Sequence, residues 1–294
     1  MHNAAMQQNL QRLIWLASFP KSGNTWTRSF LGNYLAPDGR QLTINQLNTF
    51  TTGDVRQDFW DAAWGSRYEG QTIETGLKLR GKVLRLIAQS KPQMHFAKTH
   101  SRIDRIEGHD LIPPDVTAAA IYIIRNPFDV VLSYSRHISA SIDETIDRMC
   151  DASALNATET QIFELIGRWD HHVHSWKSAP GLPLFFMRYE DMVSQTERTF
   201  RALLNFLQIP VNDGKLRRAI RFSSFKELQK QERSEGFGER PENMQQFFVS
   251  GRSGDWQREL SAAQIGRITT EFGRILEKHY PETLREVRKA GAMG

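Results

Sequence analysis

A lysine, two hydroxyls and a tryptophan fall together in Phe19-Pro20-Lys21-Ser22-Gly23-Asn24-Thr25-Trp26, directly after the apolar run LIWLAS. The run has the length and composition of a buried strand, and TWTRSFLGNYL beyond the turn reads as a helix. A strand, a turn holding Pro and Gly, and a helix start make a phosphate cradle, because the first backbone N–H groups of a helix have no partner within it. In the common nucleotide-triphosphatase loop the lysine follows the last glycine, in G-x-x-x-x-G-K-[ST]. Here Lys21 stands two residues before Gly23. The loop suits a phosphate without being that of an ordinary ATPase.

A second group of residues follows the apolar run AAAIYIIRN. Arg125 ends the run, Asn126 can cap the next helix, and Pro127 sits where a missing N–H costs nothing, so Arg125 is held at the strand's end. Ser133 lies two helical turns further on. A guanidinium with paired donors and a nearby hydroxyl suit a phosphate group; a surface salt bridge beside an ordinary helix serine is the competing reading. His171, His172 and His174 suggest a metal site, but no acidic or cysteine partner accompanies them at recognisable spacing, and that reading is set aside.

Four apolar runs must position these groups: LIWLAS, MHFAKTH near residue 97, AAAIYIIRN near 122 and LPLFFMRYE near 186. Each precedes a polar or helical segment. The pattern predicts one α/β domain over 1–294, with a core at about 13–260 and C-terminal helices over 261–294, built on a central parallel sheet flanked by helices. In such sheets ligands collect at the carboxyl ends of the strands. Lys21, His100, Arg125 and Tyr189 follow the four runs in turn, and the spacing predicts that they converge. Residues 38–90 are less regular and carry Phe50, Phe59, Trp60, Trp64 and Tyr68, which form either a lid or ordinary packing. Helical patterns dominate beyond 195, interrupted by RSEGFGERPENMQQFFVSGRSGDW, the kind of polar, Gly-containing segment that closes over a ligand.

The formal charge of +5 suits an anionic ligand, but 38 basic residues are offset by 33 acidic ones spread along the chain. No basic arm or stripe argues for nucleic acid. The single cysteine, Cys150, forms no intrachain disulfide and points to a reducing compartment. MHNAAMQQNLQRL lacks the pattern of a secretory leader and no apolar stretch approaches membrane-spanning length, so a cytoplasmic location is expected.

Together, P-K-S-G-N-T-W and R-N-P-F-D-V-V-L-S-Y resemble the two cofactor signatures of the cytosolic-type sulfotransferase family. Lys98-Thr99-His100 is similar to its K-[ST]-H catalytic segment, and Gly254-Asp255-Trp256 to its C-terminal signature. Gly167-x-Trp169-x-x-His172-Val173-x-x-Trp176 and Tyr189-Glu190-Asp191-Met192 also match family segments in the right order, so the resemblance spans residues 14–256.

The resemblance implies a P-loop-like sulfotransferase fold. The implied donor is 3'-phosphoadenosine 5'-phosphosulfate (PAPS), the product adenosine 3',5'-bisphosphate (PAP), with no metal. The acceptor would be a hydroxyl, or less readily an amine, of a small molecule, glycan or lipid. By the same resemblance, Lys21, Ser22, Gly23, Asn24 and Thr25 hold the 5'-phosphosulfate and Trp26 stacks on adenine. Arg125 and Ser133 grip the 3'-phosphate, with Ser133 also counted in the catalytic set. Tyr189, Ser223 and Phe225 lie beside the purine. His100 is the expected general base, Lys21 the stabiliser of the leaving oxygen, and Lys98 a supporting cation. Phe19, Trp64, Trp169 and His172 are expected on the acceptor wall.

The family's R-K-G-x-x-G-D-W is not matched in full. Val249 and Ser250 replace the basic pair before Gly251, leaving Ser250, Gly251 and Arg252 as the expected contacts there. No family dimer motif is recognisable, so a homodimer stays open. Two alternatives compete: a small-molecule kinase on a related phosphate-loop fold, and a non-catalytic nucleotide-binding module.

Overall fold

The computed structural model describes residues 11–37 and 39–291; residues 1–10, where the absence of a leader was read, lie outside the described residues. Strand β1 (Leu13–Ser18) has Leu13, Trp15, Leu16 and Ala17 fully buried, as expected of a strand covered on both faces. Helix α1 (Asn24–Leu35) follows the loop at residue 21. A two-residue strand β2 (Thr52–Gly53) leads into α2 (Gln57–Trp64) and α3 (Ile73–Gln89), then β3 (His95–Thr99) and β4 (Thr117–Ile124).

Helix α4 (Pro127–Ile138) starts as the sequence predicts: the Asn126 side chain accepts from the Phe128 N–H, and Pro127 is the first helical residue. Then come α5 (Ile142–Cys150), a hairpin of β5 (Leu155–Ala157) and β6 (Phe163–Leu165), α6 (Trp169–Lys177) and β7 (Leu184–Arg188). The remaining chain is mainly helical: α7 (Tyr189–Ser194), α8 (Thr196–Phe206), α9 (Asp213–Phe222), α10 (Phe225–Glu235), α11 (Ala262–His279) and α12 (Pro281–Gly291).

The five-stranded sheet runs in the order β2-β3-β1-β4-β7 with every pair parallel. Register sets Ala17 beside Thr99 and Tyr122, and Ile124 beside Arg188, so the segments leaving β1, β3, β4 and β7 emerge along one edge. Successive side chains alternate between faces. Trp15, Ala17, Tyr122 and Ile124 join a core with α2, α3, α4, α6 and α11, while Leu16, Ile121 and Ile123 pack with α1, α8 and α9 on the other side. The central parallel sheet flanked by helices is therefore present, and all four predicted strands form. Among the described residues no helix is long and apolar enough to cross a membrane.

Residues 38–90 resolve the choice between lid and packing. Trp60 and Tyr68 are fully buried in the core, and Trp64 is 42% exposed on the outer side of α2. The segment that covers the sheet edge comes instead from residues 236–255. It is fixed at one end by the Glu232 carboxylate, which accepts from the Phe247 and Phe248 N–H groups at 2.6 and 2.9 Å. At the other end Asp129 on α4 accepts from the Gly254 and Trp256 N–H groups at 2.8 and 3.3 Å.

Candidate active site

A cavity of about 260 Å³ lies at the carboxyl edge of the sheet, under the 236–255 segment. Its floor begins at the loop after β1. Lys21 has φ 66° and Gly23 φ 105°, a left-handed pair that turns the chain sharply into α1. Gly23 is also needed for space, since a Cβ there would sit 2.7 Å from the Tyr189 ring. Asn24 turns inward: its Nδ2 donates to the Leu16 carbonyl at 2.9 Å and tethers the loop to β1. The Ser22 hydroxyl is buried without a partner among the described residues, and Thr25 and Trp26 lie half-buried on the wall.

Lys21 Nζ has no hydrogen-bond partner among the described residues and lies 3.5 Å from the centre of the Phe247 ring. Burial first, then repulsion from Arg125 and Lys98, lowers its pKa to about 7. Arg125 donates to the Lys21 carbonyl at 3.0 Å and to the Arg252 carbonyl at 3.2 Å, and its guanidinium lies 4.4 Å from the Tyr189 ring centre. It thereby clasps the β1 loop and the covering segment together, and its Nε is left without a partner among the described residues. Ser133 shares this wall from α4. So does Arg136 one turn on, which the sequence reading did not single out; its guanidinium bonds Glu259.

His100 follows β3. Its Nδ1 lies 2.7 Å from the Ser18 carbonyl, an oxygen that can only accept, so Nδ1 carries the proton and Nε2 keeps its lone pair. Burial, then Lys98, lowers its pKa to about 3, which makes the ring neutral at physiological pH. The ring is backed by His172, whose Nε2 donates to the His100 carbonyl at 3.0 Å and whose Nδ1 accepts from the Tyr122 hydroxyl at 2.7 Å.

The preceding residues are equally held. Asp54 accepts from Thr99 at 2.7 Å and pairs with Arg80 at 2.5 Å, and Arg80 reaches Ser101 at 3.1 Å. Lys98 lies 3.6 Å from Glu239, which also takes two bonds from Arg28 at 2.8 and 2.9 Å. Burial alone would raise the Glu239 carboxyl, but Lys98 and Arg28 outweigh it and hold the pKa at about 2.

The structure thus brings together Lys21, Gly23, Asn24, Thr25, Trp26, Lys98, His100, Arg125, Ser133, Tyr189, Phe225, Ser250 and Gly251 on one cavity. Other residues expected at the site stand away from the wall or have their polar groups engaged elsewhere. Trp169 is fully buried against Phe272, and Phe19 lies beneath the wall, edge-on to Tyr134 and His172. His172 faces inward because its nitrogens are both engaged, and Trp64 faces outward on α2. Ser223 is buried, with its hydroxyl given to the Ala219 carbonyl at 2.8 Å at the end of α9. Arg252 contributes its carbonyl and keeps its side chain exposed, while the Ser250 hydroxyl donates to Asp255. Ser22 is buried beside the cavity rather than on its wall.

Wall residues not singled out individually in the sequence include His137, Asn156 and Glu164, together with Glu239, Met244 and Phe247 from the polar segment expected to close over a ligand. His137 alone was accessible by spacing, four residues beyond Ser133 on the same helix face.

The fit to a phosphorylated nucleotide rests on these groups. Lys21 Nζ, Trp26 Nε1 and Arg125 Nε are buried polar atoms of cavity-lining residues without hydrogen-bond partners among the described residues. Such atoms cost stability unless something else satisfies them.

The model of a family described as "Sulfotransferase domain" matches residues 11–281. Cytosolic sulfotransferase 15 of Arabidopsis thaliana is 25% identical over 273 residues, covering 89% of this chain and 71% of the relative. Sulfotransferase 1B1 of Canis lupus familiaris is 25% identical over 292 residues, covering 94% and 86%. Among solved structures, mouse sulfotransferase SULT7A1 complexed with PAP superposes with a TM-score of 0.61 at 18% identity, covering 99% of this chain and 93% of that one. Retinol dehydratase in complex with androsterone and inactive cofactor PAP gives 0.61 at 17%, covering 94% and 84%.

Proposed function

The chain belongs to the sulfotransferase domain family, and from that premise we propose that it transfers a sulfuryl group from PAPS to an acceptor hydroxyl, in the cytoplasm. One observation carries this reading: His100, with its Nε2 lone pair left by the Nδ1 proton, and a buried lysine ammonium without a hydrogen-bond partner among the described residues share one cavity with Arg125 and Ser133. The donor supplies an electrophilic sulfur and a bisphosphate leaving group. His100 Nε2 takes the acceptor's proton, and its Nδ1–H to Ser18 holds the ring in the tautomer that allows this. Lys21 places positive charge where the leaving oxygen becomes negative, supported by Lys98. The backbone N–H groups of residues 22–25 and the Thr25 hydroxyl cradle the 5' end, and Trp26 and Tyr189 take the purine.

Arg125 and Ser133 take the 3'-phosphate. The basic pair expected before Gly251 is absent, and Val249 in its place is 47% exposed. Arg136, on the same helix face as Ser133, supplies the missing charge. Only glycine fits at 251: φ is 66°, and a Cβ there would lie 2.3 Å from the Phe225 ring.

The test is thermal stability with PAP, ADP and ATP. A ligand that binds only the folded state raises the melting temperature in proportion to its affinity. PAP is expected to raise it well above ADP or ATP; equal shifts would remove the 3'-phosphate reading and favour a kinase. Incubation of a cell extract with labelled PAPS and this protein then identifies the acceptor.

A further inference from the structure

Besides the groups assigned to the donor, the cavity wall carries polar residues of the β5–β6 hairpin. Asn156 on β5 and Glu164 on β6 are direct cross-strand partners, and both line the cavity. Partners in an antiparallel pair point to the same face, so the hairpin presents them side by side. Glu164 is 8% exposed, and one of its oxygens accepts from the His100 N–H at 2.9 Å, which sets the carboxylate beside the catalytic histidine. Among the described residues it has no cationic partner.

The Asn156 carboxamide oxygen is taken by the Tyr134 hydroxyl and by Arg148, both at 3.1 Å, and its Nδ2 has no acceptor among the described residues. His137 adds a buried Nδ1 without a hydrogen-bond partner among the described residues.

The His100 N–H meets one oxygen of this carboxylate, and the other has no hydrogen-bond donor among the described residues, so a donor from the acceptor can meet it. The ring of a phenol or sterol brings none. An ammonium would meet Lys98 and Lys21 on the same wall, and the second carboxylate, Glu239, is already neutralised by Arg28 and Lys98. A diol satisfies the whole set: one hydroxyl reacts at His100 while its neighbour donates to Glu164 and accepts from Asn156 Nδ2.

We propose that the acceptor is a polyhydroxylated molecule of the sugar or cyclitol class, recognised through the Glu164–Asn156 pair next to the reacting hydroxyl. This rests on the reading of the cavity as a sulfotransferase site.

The experiment uses the full chain with saturating PAPS and follows PAP formation. The acceptors are methyl glucoside and myo-inositol against cyclohexanol and 4-methylphenol. The polyols are expected to show kcat/KM about ten- to hundred-fold above the monohydric acceptors, the size of one or two hydrogen bonds to a charged group. Glu164→Gln and Glu164→Ala are expected to collapse that ratio, with Gln the milder.

Preference for 4-methylphenol or cyclohexanol, no turnover of either polyol, or a Glu164 variant that lowers all acceptors in the same proportion would overturn the proposal; the last would reduce Glu164 to a support for His100. Calorimetric PAP binding, run in parallel, separates the two layers. Loss of PAP binding by the wild-type protein condemns the donor reading, whereas tight PAP binding with phenol preference condemns only the acceptor class.

Discussion

Lys21 gives the sharpest quantitative consequence. Its pKa is lowered to about 7 by burial, Arg125 and Lys98, against an ordinary value of 10.5. PAP brings two phosphates to the groups that repel it, so binding should return Lys21 to the fully protonated state. At pH 8, one unit above a pKa of about 7, only about one free molecule in ten carries the proton, and binding takes up about 0.9 proton; the figure is about 0.5 at pH 7.

Phosphate oxygens themselves exchange a proton near pH 6, so the measurement belongs at about pH 7.5–8.5. Calorimetric titration of PAP in buffers of different ionisation enthalpy reads the proton number directly, with Lys21→Met as the control that abolishes it. Because the complex holds the proton more tightly, PAP affinity falls as pH rises through 7, by close to tenfold per unit.

The same shift acts on the ligand-free protein. The folded pKa lies below the unfolded one, so between about 7 and 10.5 the unfolded chain binds more protons and stability rises with pH; below 7 the full penalty of the buried ammonium is present. A proton number near zero at pH 8, or one unchanged in Lys21→Met, would refute the reasoning.

Two further outcomes test the division of labour on the wall. His100→Ala should lower kcat by about 10²–10⁴, the range of a lost general base, with PAP affinity nearly unchanged; kinetic constants and PAP titration check both halves, and near-normal turnover excludes the base. Arg136→Ala should weaken PAP by about tenfold or more while ADP binding barely changes, as one charge-assisted contact to the 3'-phosphate requires. An equal loss for both nucleotides would mean that Arg136 faces something else.

What could be read from the sequence divides by physical cause. The four long strands announced themselves as continuous apolar runs, three of them largely buried and β7 half-buried at the sheet edge; β2, only Thr52–Gly53, is too short to leave such a trace. The residues directly after those runs met at one edge because a parallel sheet brings its carboxyl ends together, and Lys21, His100, Arg125 and Tyr189 needed nothing more. The rest of the expected site was read less well, for two opposite reasons. Trp169, His172, Val173 and Trp176 have the spacing of one helix face, and that face is the buried one. The periodicity that made the segment recognisable as a motif was itself the sign that it packs inward.

Glu164, Asn156 and Glu239 carry no periodic signal at all. Two come from a short hairpin and one from an irregular covering segment, and their place on the wall depends on contacts made far along the chain: Glu164 with the His100 amide, Glu239 with Arg28 and Lys98. The part of the cavity around Lys21, Arg125 and Tyr189 is built from strand ends and a helix start, where local sequence dictates direction. The part around Asn156, Glu164 and Glu239 is built from elements whose direction only tertiary packing decides. His172 shows how the two parts connect: engaged on both nitrogens, it packs inward, and its bond to the His100 carbonyl helps to set where the His100 imidazole stands between Lys98 and the Glu164 carboxylate.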